Sequence, residues 1–355
     1  MISSPKAPLI NFPLIDKNNY IWKSIQINKG ASGEKIIFSG INKNNNKDIL
    51  LVKQIELDED KLNEDDLKNI LNEFYITLNL KKEDYFLKNV SGMLSGEEKY
   101  LYLVIKEDVI PLNYLMTSKK YNYLSNNLLI KWVVYQITFS IYILHSNNIV
   151  HNDIKPTNIL INNEGGVSLY GFNSAVFEGE ECYEYTFTYS PPEILNGNIK
   201  ADKKMDMWGL GVIILELYLK KYQIFKNENI KDKKGQLEFI LSKYDIKGKN
   251  KIDEYQKLSN NEENNKNKYK IDNTILEEIE DKDKDAIDLI NNLLSLNPKD
   301  RFSAEQVLDS EYLKDFKGTN SFDNKIKVEN PFYYKEISKR ELDKIKFIEF
   351  IKKII

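Results

Sequence analysis

Apolar and polar positions alternate differently in the two parts of this chain. Up to about residue 108 the apolar residues fall in short β-branched runs, 24–41, 48–57 and 99–108. Gly, Asn and Lys turns separate them, which predicts strands. One stretch in between, 65–80, carries Leu67, Ile70, Leu71, Phe74 and Leu78 at the spacing of a single helix face. From about 112 onward the helical period takes over. Residues 126–146 are apolar nearly all round and predict a buried central helix, and 203–219 is a segment of the same kind. Residues 283–298 are amphipathic, with Pro298 marking the stop. The tail, 337–355, opens with Ser338 and Glu341 at capping-box spacing and has an apolar face expected to dock on the body of the protein, with a partner or a membrane as the alternatives. A β-rich lobe with one helix followed by a helical lobe is an α+β arrangement, and it predicts a functional site in the cleft between the lobes. The Asn/Lys-rich runs 42–48 and 260–270 are expected to be solvated loops.

Composition narrows the classes. A chain of 355 residues can bury one large core or two ordinary ones. With 51 Lys+Arg against 54 Asp+Glu, the net charge of −3 gives no reason to expect nucleic acid or an acidic membrane as partner. The single cysteine, Cys182, excludes an internal disulfide, and two histidines with one cysteine cannot complete a tetrahedral zinc site. The N-terminus lacks the pattern of a signal peptide, and the apolar run 209–219 is too short to span a bilayer and carries Glu216. The expectation is an intracellular, cytoplasmic protein, with the nucleus left open.

The candidate chemistry lies in HNDIKPTNIL, 151–160. Phosphoryl transfer needs a carboxylate to accept a hydroxyl proton, a cation at the phosphate and oxygen ligands for Mg²⁺. Asp153, Lys155 and Asn158 offer those groups in that order. Taken singly, each residue has a plainer reading: a turn aspartate, a solvated lysine, a core histidine at 151. What lifts them is their order with LLVKQI (Lys53), LNEFYITL (Glu73), TYSPPE (188–193), DMWGLG (206–211) and NPKDRFSAEQVL (Arg301).

This set resembles the eukaryotic protein kinase family from about residue 20 to about 315, and most of all its cyclin-dependent and mitogen-activated branch. The resemblance implies a two-lobed protein-kinase-like fold. Its expected parts are an N-terminal extension (1–19), an N-lobe (20–108), a C-lobe (109–315) with a polar insert at about 245–275, and a C-terminal extension (316–355). It implies ATP held by the glycine loop at Gly30 and Gly33, by Lys53 paired with Glu73, and by Ile105, Lys106, Asp108 and Leu160 around the adenine. It implies Asp153 as base, with Lys155 and Asn158 beside it, a Glu193–Arg301 pair, and Asp206 anchoring the catalytic loop.

The chain departs from the pattern where the family binds metal. Asp-Phe-Gly becomes Gly171-Phe172-Asn173, so Mg²⁺ keeps only the neutral Asn158. The first loop glycine is Asn28, the adenine roof alanine is Leu51, and the roof valine aligns with Lys35, or with Ile36 after a one-residue slip. The arginine that receives an activation-segment phosphate is Asn152, and Ser190 stands where a second one would be. Glu178, Glu180, Glu181 and Glu184 make the segment acidic, and Tyr183 sits near the family's phosphorylated tyrosine. Three readings follow: a pseudokinase acting as a regulatory or scaffold module for protein partners, a weakly active serine/threonine kinase transferring the ATP γ-phosphate to protein hydroxyls, or, between them, a nucleotide-binding sensor without transfer that depends on how Leu51 packs.

Overall fold

The structure is a computed structural model. It describes residues 14–30, 33–46, 49–56, 73, 76, 92–94, 100–105, 109–117, 127–162, 165–182, 185–247, 250–260, 269–279 and 283–316. Two compact units divide at Val109 and Ile110. The expected helix at 337–355 lies outside the described residues.

The described part of the first unit is a six-stranded sheet. Its strands are β1 (Leu14–Ile15), β2 (Tyr20–Gly30), β3 (Gly33–Asn42), β4 (Ile49–Glu56), β5 (Gly92–Leu94) and β6 (Tyr100–Ile105), in the order β1-β5-β6-β4-β3-β2. Side chains alternate between faces along a strand, and Leu50, Val52 and Val104 use that period to bury one face with Tyr20, against which Trp22 packs. The register of β2 on β3 shifts once, between Ser24 and Gln26, and then runs without a slip to Gly30 opposite Gly33. In that register Asn28 pairs with Lys35 and Ile27 with Ile36. Leu51 pairs with Ser39 on one side and with Ile105 on the other. Of the helix expected at 65–80, Glu73 and Ile76 are described; both are helical and buried, while the apolar face read at Leu67, Ile70, Leu71, Phe74 and Leu78 lies outside the described residues.

In the second unit helices carry the core. After β7 (Val109–Pro111) come α1 (Leu112–Thr117) and α2 (Asn127–Ser146), one residue from the expected start. By length and composition α2 is apolar enough to cross a membrane, yet most of it is buried inside this unit. The short strands β8 (Ile149–Val150), β9 (Ile159–Asn162), β10 (Val167–Leu169) and β11 (Val176–Phe177) form two small sheets, in orders β10-β9-β7 and β11-β8. Next come α3 (Pro192–Leu195) and α4 (Lys203–Leu219), the axis of the unit, with 15 of its 17 residues buried. Its first turn is capped by Asp202, which accepts from the Lys204 amide.

The later elements are α5 (Lys233–Leu241), α6 (Lys251–Asn260), α7 (Asn273–Leu276), α8 (Lys284–Leu293) and α9 (Ala304–Leu308). Two of them differ from expectation. The polar insert contains α6, because Tyr255 and Leu258 find burial there. Helix α8 ends at Leu293 rather than reaching Pro298. The proline pushes Asn297 into extended backbone, where its side chain caps a new 3-10 turn at 298–300.

Candidate functional site

The chemistry-bearing loop runs from β8 to β9, and Asp206, in the first turn of α4, sets its shape. The Asp206 carboxylate is buried and accepts from the backbone N–H groups of His151 and Asn152, each at 2.8 Å, and lies 2.9 Å from His145 Nε2. Two backbone donors on one carboxylate fix the loop at its entry. Close approach of α4 to the loop needs Gly209: a Cβ there would stand 2.7 Å from the Ile154 carbonyl oxygen.

His151 is fully buried and 5.3 Å from the Phe172 ring centroid. Its Nδ1 accepts from the Asp153 N–H at 3.3 Å, so the ring proton sits on Nε2 and is donated to the Tyr170 carbonyl at 3.2 Å. Burial lowers its pKa, against the pull of Asp206 and Asp153, which keeps the ring neutral. This histidine is a spacer between the loop and the 170–172 segment.

The Asp153 carboxylate is enclosed by donors. Lys155 Nζ lies 2.5 Å from Oδ2, Thr186 Oγ1 donates to Oδ1 at 2.7 Å, and Asn158 Nδ2 lies 3.1 Å from Oδ2 while donating to the Asp153 carbonyl at 2.8 Å. Thr186 also accepts from Lys155 at 2.7 Å, closing a triangle. Burial alone would raise the Asp153 pKa, but Lys155 and Thr186 outweigh it and hold the carboxyl below its usual value. Sequence reading had Asp153, Lys155 and Asn158 and missed Thr186. Its signal was its place two residues before TYSPPE, far from the loop in the chain.

Gly171 adopts the left-handed conformation, φ 84° and ψ 59°. A Cβ built on it would lie 2.8 Å from Asn158 Oδ1. The Asn158 amide thus leans over the position from which the family's metal carboxylate would project. The donor set does not fit Mg²⁺: Asn158 brings one neutral oxygen, the Gly171 side chain none, and the Asp153 oxygens already accept from Lys155, Thr186 and Asn158. Among the described residues no three His, Cys, Asp or Glu side chains converge into a metal-binding group.

In the first unit, Lys53 Nζ and Glu73 Oε2 are 2.5 Å apart and both side chains are buried, so the expected pair is formed. Gly30 and Gly33 face each other at the β2–β3 turn. Ile105 ends β6, and Lys106 and Asp108 lie outside the described residues. Leu160, in the second unit, is buried in β9 opposite Ser168. The Arg301 guanidinium meets Glu193 with two nitrogens, at 2.6 and 2.7 Å, and stacks 5.0 Å from the Trp208 ring centroid.

The sheet unit, the helical unit and this loop define a protein kinase fold. The Protein kinase domain family matches residues 23–313, and the chain belongs to that family. It is 25% identical over 314 residues to "Extracellular signal-regulated kinase 2" of Dictyostelium discoideum, covering 82% of this chain and 78% of that protein. It is 28% identical over 186 residues to "Cyclin-dependent kinase 12" of Caenorhabditis elegans, covering 50% of this chain and 24% of that protein. It is 30% identical over 192 residues to "Cyclin-dependent kinase C-1" of Oryza sativa subsp. japonica, covering 52% and 36%.

Proposed function

We propose that this protein is a pseudokinase, a kinase-fold module that works by binding protein partners, with phosphoryl transfer reduced to a trace or lost. One observation carries the reading. Position 171 supplies no side-chain oxygen, and the Asn158 amide oxygen lies against it. Transfer depends on metal charge spread over the phosphates, and losing one strong electrostatic contact of that kind costs about 3–4 kcal/mol of barrier, roughly two to three powers of ten in rate. The Asp153 carboxylate, held below its usual pKa by Lys155 and Thr186, is also a weak proton acceptor.

The retained residues are consistent with structural work. Lys53 and Glu73 form a buried strut, and Asp153, Asn158 and Thr186 lock the loop to the segment after it. A protein partner is part of the proposal: two of the relatives are cyclin-dependent kinases by name, and the fold offers two units that a partner can bias. An intracellular, cytoplasmic setting belongs to the same proposal. The second reading, a weak serine/threonine kinase, is favoured by the surviving Lys53–Glu73 pair and by Asp153.

The test is γ-phosphate transfer from ATP with Mg²⁺, to itself and to generic protein substrates, by the natural protein and by Asp153→Asn. The pseudokinase reading expects equal, background incorporation in both. Transfer that disappears in Asp153→Asn establishes the second reading.

A further inference from the structure

The segment from β11 to α3, residues 176–190, connects the loop bearing Gly171 to the start of the α3–α4 region. In its described residues it is fastened along its length. β11 pairs with β8, and the Glu178 amide donates to the Asn148 carbonyl at 2.9 Å. Gly179 N–H donates to Ala201 O at 2.8 Å, Ala201 N–H to Glu180 O at 2.8 Å, and Cys182 N–H to Ile199 O at 2.7 Å, which stitches 179–182 to 199–201. Beneath this zipper Val176, Cys182, Ala201, Val150, Ile194 and Met205 form one buried apolar cluster, against which Tyr185 packs. Further on, Thr186 is bonded to Asp153, and the Tyr189 hydroxyl donates to Glu216 at 3.0 Å.

Among the described residues, no free arginine lies beside the same segment to recognise a phosphate. Bidentate arginine is the side chain suited to that group. The chain has two arginines: Arg301 is buried against Glu193, and residue 340 lies outside the described residues. Asn152, at the loop position beside the segment, is a neutral amide buried next to the Cys182 thiol. Lys203 is paired with Glu178, Lys155 with Asp153, and Lys233 lies 5.1 Å over the Tyr185 ring. Glu178, Glu180 and Glu181 would repel a further anion.

We infer that the described residues of this segment, 176–182 and 185–190, take their ordered form without phosphorylation, held by the 179–182/199–201 zipper and the apolar cluster around Cys182. The module would then present one constitutive surface, and control would come through its partners rather than through a kinase acting on this segment. This inference goes beyond the function proposed above and holds whether or not the protein transfers phosphate, because its test reads backbone exchange and not activity.

The test is hydrogen–deuterium exchange on the full chain, before and after treatment with a protein phosphatase. The amides of Gly179, Cys182 and Ala201 are expected to be protected and unchanged by the phosphatase. Cys182→Ser, which places a hydroxyl in the apolar cluster, is expected to speed their exchange by about tenfold or more while α4 stays protected. Cys182→Asp should do so more strongly; if it unfolds the unit and α4 loses protection, Cys182→Ser decides. Rapid exchange of the segment in the phosphatase-treated protein overturns the inference. So does protection that Cys182→Ser leaves intact.

Discussion

Gly171 and Asn158 stand so close that a Cβ on residue 171 would lie 2.8 Å from Asn158 Oδ1. Asn158 is held in that position from its other side, where Nδ2 donates to the Asp153 carbonyl at 2.8 Å. The missing carboxylate and the position of the remaining amide are therefore one feature. Asp153, one contact further away, is tied into the same group.

Restoring the carboxylate should restore a metal response at a cost in stability. Gly171→Asp must keep φ at 84°, a left-handed conformation that costs a non-glycine residue about 1–2 kcal/mol, and must push the Asn158 amide aside. The new carboxylate and the Asn158 amide would then each offer an oxygen, enough for Mg²⁺ on a nucleotide. Thermal unfolding should show the variant less stable than the natural protein without ligand, and stabilised by ATP only when Mg²⁺ is present. Identical ATP shifts with and without Mg²⁺ in the variant would mean that residue 171 alone does not limit metal binding.

The Lys53–Glu73 strut should behave as a buried ion pair. Removing Lys53 leaves the Glu73 carboxylate buried without its cation, which costs about 3–5 kcal/mol, whereas an apolar replacement of both is closer to neutral. Lys53→Met should destabilise the protein strongly, and adding Glu73→Leu should recover most of the loss. Denaturant titrations of the natural protein and both variants measure this, and a double variant no more stable than Lys53→Met would contradict it.

Helix α4 contributes a pH dependence. Glu216 has no exposed surface, and burial raises its pKa to about 8, although Tyr189 and the Ile224 amide donate to it. Because the folded value lies above the unfolded one, the native state keeps a proton that the unfolded chain gives up. The stabilisation is thus complete below the unfolded value near 4.5 and is lost as pH rises toward 8. Glu216→Gln removes this term, so its stability relative to the natural protein should improve between pH 5 and pH 9. Parallel stability curves for the two proteins would contradict the assignment.

The Glu193–Arg301 pair should tolerate lysine poorly. Arg301 has both terminal nitrogens on Glu193, donates through Nε to Ser295 O and to Lys204 O through Nη1, and is accepted over the Trp208 face. Lysine cannot reproduce that planar fork. Arg301→Lys should cost about 2–3 kcal/mol, by analogy with a charged hydrogen bond left unmet in a buried site. Calorimetry giving an unchanged Tm would refute this.

Much of the fold was readable where one period dominated. The long apolar segments 126–146 and 203–219 emerged as α2 and α4 because nearly every face of each is buried. The motif order placed Lys53 with Glu73, Arg301 with Glu193 and Asp206 under the 151–153 loop, since each motif is local and keeps its residue types. What stayed hidden depends on tertiary placement. Thr186 lies 33 residues from Asp153, and nothing in a lone threonine announces a bond to a carboxylate so far away. The α6 helix was masked by a polar, Asn-rich composition, and only the burial of Tyr255 and Leu258 accounts for it.

The most direct test of the missing metal grip uses crystals grown with ATP and Mn²⁺, whose anomalous scattering marks the ion. The expected result is no anomalous peak within coordination distance of Asn158 Oδ1. A peak bridging Asn158 and the phosphates of a bound nucleotide would contradict the account at its centre.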